Sequence, residues 1–353
     1  MRCAVLEFTR SHTITLPLLV RILNDLGEKP DVYLRDDVIA GRPFAASTKL
    51  RFRLRRAQGL RAVFPGLTRR LRSYDLLVAN TLEHRAAFAT LSRLSVPTLA
   101  LVHNLDLVAQ DKDYMDYFGH PRRHPLVLSH HIHAAATRRL NPGFIAPVLE
   151  VDPYPFDAPR AGYTLFCVQG QLEYSRRNYP ALLDAVEGLV REGYRRFATL
   201  VLGRTDKPDS RVFRRSVEKR ALRSFVHLSV HDIPTPDFYR FLSLSHFVLP
   251  LVDRSNDALI RYFRSKVTTS LFVTLGMGIP WVADAEFACA CDLRGCAIAH
   301  RDGRLMEGMK NAMEIREHHP DGYKELRKAL LAKKINLIEE STRSVRAAIS
   351  QVC

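Results

Sequence analysis

Apolar residues come along this chain in short dense runs separated by stretches at helical spacing. Cys3 to Phe8 reads as a buried strand, and Leu16, Leu19, Val20, Leu23 and Leu26 then recur on one helical face up to Gly27, with Ser11 placed to cap that helix. Residues 31–34 form a second strand, so the chain opens as β-α-β. The unit returns with strands at 75–80, 97–103 and 126–129 and helices at 82–94 and 132–140. Strands that are apolar throughout must bury both faces, and their alternation with helices predicts a parallel sheet covered on each side.

Between Phe144 and Gly162 the pattern lapses into Pro147, Pro153, Pro155 and Pro159, which suit neither a ladder nor a helix, and a domain boundary is expected there. Alternation then restarts, with strands at 164–168, 198–202, 225–230, 247–251 and 280–283 and helices at 179–190, 211–222, 237–244 and 266–275. The last segment, 323–351, is one long helical pattern. The predicted fold class is α/β, as two tandem Rossmann-like, doubly wound domains over residues 1–155 and 156–322, with a terminal helix 323–353 that can brace the first. A length of 353 residues suits two domains.

In open parallel sheets ligands bind beyond the carboxyl ends of the strands, so the residues just after each strand carry the information. After the strand at 164–168 come Gln169, Gly170 and Gln171, then Glu173, then Arg176, Arg177 and Asn178 opening a helix. Gly170 lets a ligand approach the backbone, and two guanidiniums beside a helix amino terminus match phosphate oxygens. A solvated arginine pair has the same local sequence. Three stretches then follow in order: Val230, His231, Asp232, Ile233 and Pro234; Ser245, His246, Phe247, Val248, Leu249 and Pro250; and Gly278, Ile279, Pro280 and Trp281.

In order and spacing these roughly 120 residues resemble the donor domain of the retaining GT-B glycosyltransferases of family 4, the glycosyl transferases group 1. The resemblance implies two domains facing across a cleft, the second holding a nucleoside-diphosphate-sugar donor. By that likeness Gly170, Arg176 and Arg177 belong to the diphosphate loop, and Asp232 and Ile233 frame the nucleotide base. The helix at 266–275 would turn its amino end to the donor phosphates and ribose, where Lys266, Thr268, Thr269 and Ser270 make a cradle for oxyanions. The family's two glutamates, with seven residues between them, fall at Ser265 and Val273, and neither is acidic. The sugar pocket therefore departs from the pattern, and Asp253 and Asp257 are the nearest acids for sugar hydroxyls.

The first domain supplies the acceptor side. His12 and Thr13 follow its first strand, and His103 and Asn104 follow a later one, where His103 resembles the histidine that related enzymes turn toward the donor sugar. The residues expected to act in the reaction are His103, Arg177 and Lys266. The positive charge of Arg176, Arg177 and Lys266 stands where a divalent cation otherwise would, so no metal and no cofactor beyond the donor is expected. His130, His131 and His133 have a metal-like spacing but no evident carboxylate partner, and Cys289, Cys291 and Cys296 lack a fourth ligand.

Charge adds a partner. The formal net charge is +16, and residues 49–72 hold nine cations and no acid, interleaved with Phe52, Leu54, Leu60, Val63, Phe64 and Leu67. Such a strip suits an anionic membrane surface and with it a lipid-linked or glycan acceptor; a solvated face or an RNA-binding strip shares the composition, and nucleic acid is placed behind the membrane. Six cysteines without a stapling role, an amino terminus interrupted by Glu7 and no apolar stretch of spanning length predict a cytoplasmic protein that is soluble or peripheral on the inner face. The functional reading is glycosyl transfer, with a sugar-nucleotide epimerase of the same architecture and a non-catalytic domain binding phosphorylated glycan or nucleic acid as alternatives.

Overall fold

Short strands with no polar face are stable only when helices cover both sides, and that is where each of these runs settles. The computed structural model describes residues 1–9, 12–57, 65–152, 162–203, 208–229, 233, 235–301 and 303–353. Ser11 with its expected cap, Asp232, and part of both the basic strip and the proline stretch lie outside them.

Among the described residues the strands are β1 (Cys3–Glu7), β2 (Asp31–Leu34), β3 (Arg53–Arg56), β4 (Leu76–Ala79), β5 (Thr98–Val102), β6 (Arg123–Leu128) and β7 (Gly143–Ile145), then β8 (Thr164–Gln169), β9 (Phe197–Leu202), β10 (Val226–Leu228), β11 (Phe247–Val248), β12 (Trp281–Asp284) and β13 (Ala297–His300). They form two parallel sheets, ordered β3-β2-β1-β4-β5-β6-β7 and β10-β9-β8-β11-β12-β13. Strand order reverses beside β1 in the first sheet and beside β8 in the second, so each has a switch point, between β1 and β4 and between β8 and β11. The fold class expected from the hydrophobic pattern is the one observed.

The chain divides into two compact units: Met1–Asp152 with Arg264–Val267 and Ile335–Cys353, and Pro153–Phe263 with Thr268–Lys334. In the first, Phe8, Leu77, Val102, Val127 and Ile132 are part of a continuous buried core, and Val267 packs against it. In the second, Phe166, Tyr179, Phe197, Phe213 and Phe247 do the same.

Several expectations are revised. The helix expected over 266–275 runs Thr269–Met277, because Thr268 serves as its N-cap. Lys266 lies ahead of the helix, in a segment tied into the first unit: Leu105 N–H donates to Ser265 O at 3.2 Å, and Lys266 O is 3.4 Å from His131 Nε2. The strand expected at 247–251 pairs only through Phe247 and Val248, since Pro250 lacks an N–H and Leu251 turns at φ +53°. Inside the basic strip lies β3, an exposed edge strand. The pattern also missed β7, β13 and the helix Leu305–His318, and the terminal helix is Pro320–Val352.

That terminal helix completes the first sheet. β6 takes one set of N–H groups from β7, and the outward ones donate to side-chain hydroxyls instead, Phe144 to Ser344 Oγ at 2.7 Å and Ala146 to Ser341 Oγ at 2.8 Å. Side-chain acceptors thus close an edge that would otherwise expose unpaired donors.

His246 fastens the start of β8 in the second unit. Its Nδ1 accepts from Leu165 N at 3.0 Å, and burial, followed by Arg316 and Arg327, lowers its pKa from 6.5 to about 3. The unfolded chain takes up the proton first, so this stabilisation is present above pH 6.5 and lost as pH falls from there toward about 3. Trp281, the chain's one tryptophan, is buried in the same unit and reports its unfolding. Urea midpoints followed by its fluorescence should fall between pH 6.5 and 4, and His246→Gln should flatten that fall.

Candidate functional site

The switch point of the second sheet gathers the residues singled out after its strands. β8 ends at Gly170, whose φ of +105° favours glycine, and β9 leads to Gly203, where a Cβ would stand 1.9 Å from Gly170 O. A Cβ on Gly170 itself would meet Arg177 Nη2 at 2.9 Å and Thr269 Oγ1 at 3.3 Å. Two bare backbones in contact therefore bring the arginine loop and the start of the helix Thr269–Met277 to one spot.

Arg177 is 4% exposed. Its Nη2 donates to Gln169 O at 2.5 Å, while its Nε is buried and has no partner. No carboxylate of the described residues lies within ion-pair distance of it. A buried cation without a counter-ion is costly by several kcal/mol, which an anion in reach of the guanidinium would offset. The helix beside it is electrostatically suited to the same ligand: Arg327 Nε and Lys334 Nζ donate to the carbonyls of Gly278 and Gly276, each at 3.0 Å, so cations meet its carboxyl end and the positive amino end is left at Thr269 and Ser270. Ser270 is fully buried, 3.5 Å from Gln169 Nε2, and Thr268 Oγ1 is its capping neighbour at 3.4 Å.

Other expected donor residues have other tasks. Arg176 forms an exposed ion pair with Glu173 at 2.5 Å. Asp253 accepts from Asn178 Nδ2 at 2.9 Å and from Ser255 N at 2.9 Å, which braces the loop after β11, and Asp257 is exposed in the short helix Asp257–Ile260. Ile233 is half-buried. Val273 is buried in the helix interior and Ser265 Oγ donates to Asp106, so neither position offers an acid.

At the switch point of the first sheet, His12 and His103 stack with ring centroids 3.7 Å apart. His103 Nε2 lies 2.6 Å from Asn80 O, and burial lowers its pKa to about 4, so the ring is neutral near pH 7. Thr13 begins the single turn Thr13–Thr15, and Asn104 directly precedes the helix Leu105–Gln110 without a side-chain capping bond. Sequence reasoning missed the groups beneath them. Buried Glu7 accepts from Thr9 N at 2.5 Å, from Thr81 Oγ1 at 2.8 Å and from Asn80 Nδ2, while Thr15 Oγ1 reaches Asn80 Oδ1 at 2.5 Å. Glu83 accepts the N–H groups of His103 and Asn104. Asn80 and Glu83 were findable, since they stand at and just after the end of a predicted strand; that Asn80 pairs with Glu7 was not.

Among the described residues no group of three His, Cys, Asp or Glu side chains is placed to hold a metal ion. His130 does find a carboxylate, Glu340, at 3.0 Å. The cations of β3 are partly occupied: Arg55 and Arg53 lie 3.3 and 3.8 Å from Asp31, and Arg56 lies 3.8 Å from Asp36. Arg69, Arg70 and Arg72 are exposed. No helix of the described residues is long and apolar enough to cross a membrane.

Because Gly170 has a positive φ and a Cβ there would press on the Arg177 guanidinium, Gly170→Ala should cost about 1–3 kcal/mol. Gly203→Ala, which strikes backbone, should cost at least as much. Urea unfolding followed by Trp281 fluorescence measures both.

No protein-family model matches the chain, and a search among curated proteins finds no match. Solved structures do resemble it. A glycosyltransferase from Rickettsia africae ESF-5 matches at TM-score 0.64 and 10% identity over 99% of this chain and 98% of that one. Anabaena HepE, crystallised with UDP and glucose, matches at TM-score 0.65 and 12% identity over 99% of both chains. WaaG, a glycosyltransferase involved in lipopolysaccharide biosynthesis, matches at TM-score 0.59 and 13% identity over 96% of this chain and 98% of that one. At such identities the likeness establishes the fold, which is that of the GT-B glycosyltransferases.

Proposed function

We propose that the chain is a glycosyltransferase whose second unit binds a nucleoside-diphosphate sugar, and that the observation carrying this is the buried guanidinium of Arg177, without a counter-ion among the described residues, at a switch point of a GT-B fold. UDP in the crystals of HepE supports the choice of ligand class. In the reaction the bond from the sugar C1 to the diphosphate oxygen breaks, and one to an acceptor hydroxyl oxygen forms. The departing diphosphate takes the bonding electrons, and its negative charge develops beside Arg177 and the amino end of the helix Thr269–Met277. The acceptor's proton passes to a diphosphate oxygen, since Val273 and Ser265 supply no carboxylate nucleophile. His12, Thr13, His103 and Asn104 form the acceptor side. Neutral His103 donates from Nε2 to Asn80, which leaves Nδ1 as an acceptor.

The finer reading is a hexosyl transfer, independent of metal, onto a glycan or lipid-linked acceptor in polysaccharide or glycoconjugate synthesis, at the cytoplasmic face of a membrane. WaaG, involved in lipopolysaccharide synthesis, is in keeping with such an acceptor. The exposed arginines of residues 49–72 would hold the protein at anionic lipid.

Calorimetric titration tests the donor site. UDP or GDP should bind in the presence of chelator, with Arg177→Ala weakening it about tenfold to a hundredfold. Arg176→Ala, solvated and already paired, should change it less than about threefold. Unchanged affinity in Arg177→Ala would remove the diphosphate assignment, and no binding by any nucleoside diphosphate together with tight RNA binding would favour a non-catalytic protein.

Sedimentation with vesicles tests the membrane surface. Each exposed cation contributes about 1 kcal/mol at an anionic bilayer, so replacing Arg69, Arg70 and Arg72 with Ser should lower partitioning about a hundredfold at low salt. Equal partitioning of both forms would dismiss that surface.

A further inference from the structure

Two groups from the loop after β4 hold the turn that carries His103 and Asn104. Asn80 O meets the His103 ring at Nε2, and Glu83 Oε1 accepts the backbone N–H of His103 at 2.5 Å and of Asn104 at 2.8 Å. The other carboxyl oxygen, Oε2, is buried and has no partner. A carboxylate buried in this way is paid for by what its bonded oxygen does, and here that oxygen fixes two consecutive peptide N–H groups and with them the direction in which His103 leaves the sheet.

We infer that Glu83 is a positioning residue that fixes the His103–Asn104 turn; its bearing on transfer rests on the acceptor-side reading above. The turn has no other carboxylate in this role among the hydrogen bonds of the described residues. Asn80, which supplies the other tie, is itself anchored by Glu7 and Thr15. Glu83 acts through His103 and Asn104. Burial raises its pKa, in keeping with a group chosen for geometry over charge.

The test is a pH titration of the full chain by NMR with labelled histidine, the His103 signal assigned through His103→Gln. In the unsubstituted protein His103 should titrate near pH 4, and in Glu83→Leu, where the turn loses the acceptor that holds it and the ring is released toward solvent, its midpoint should rise by about one pH unit or more toward 6.5. Glu83→Gln keeps an acceptor oxygen and should leave the midpoint in place. His124, in the same unit and also lowered by burial, is the control for general loosening and should not move. If Glu83→Leu does not fold, Glu83→Asp, one methylene shorter, carries the same expectation. An unmoved His103 in the leucine variant overturns the inference, as does a shift in the glutamine variant of equal size or a shift shared by His124. No donor is needed, so the outcome is separate from nucleotide binding; UDP affinity of Glu83→Leu should match the unsubstituted protein.

Discussion

The guanidinium of Arg177 is buried against the carbonyl of Gln169 with one nitrogen unpaired, and much of the second unit is arranged to permit this. Gly170 and Gly203 let two strand ends touch, which clears the place the guanidinium occupies. Asn178, the next residue, caps the following helix and ties the loop after β11 through Asp253. Arg327 and Lys334 neutralise the far end of the helix whose amino end faces the same spot. Leaving a cation unpaired in the interior costs stability, and a site that binds an anion is the setting in which proteins sustain that cost.

The first unit solves a different problem at the equivalent place. Among the described residues its switch point holds buried carboxylates, Glu7 and Glu83, which accept from N–H and hydroxyl donors of neighbouring loops. Burial raises the pKa of Glu7 and of Glu83 and lowers that of His103, and the hydrogen bonds these groups make set the geometry.

The excess positive charge divides between these needs. Arginines in β3 are partly spent on Asp31 and Asp36, which keeps a charged edge strand from pairing with other chains, and those of the helix Pro65–Leu71 remain outward. Among the described residues the strip read as one segment holds two elements, β3 and the helix Pro65–Leu71.

Most of the fold was legible from hydrophobic runs alone, because a strand buried on both faces cannot tolerate polar residues and so declares itself at Cys3–Glu7, Thr98–Val102 or Phe197–Leu202. Edge strands escaped: β3 is nearly all arginine, and β7 is three residues whose outward donors are met by Ser341 and Ser344, some 200 positions away. Gly170 and Arg177 were visible as types following a strand. What only the tertiary structure decided was which arginine is buried: Arg176 and Arg177 are adjacent, yet one turns to Glu173 and solvent while the other is buried against the Gln169 carbonyl beside Gly170. Likewise the sequence offered His103, but Glu7, Asn80 and Glu83 acquire their meaning only when β1, β4 and β5 are hydrogen-bonded side by side, since a buried carboxylate is defined by donors that lie far off along the chain.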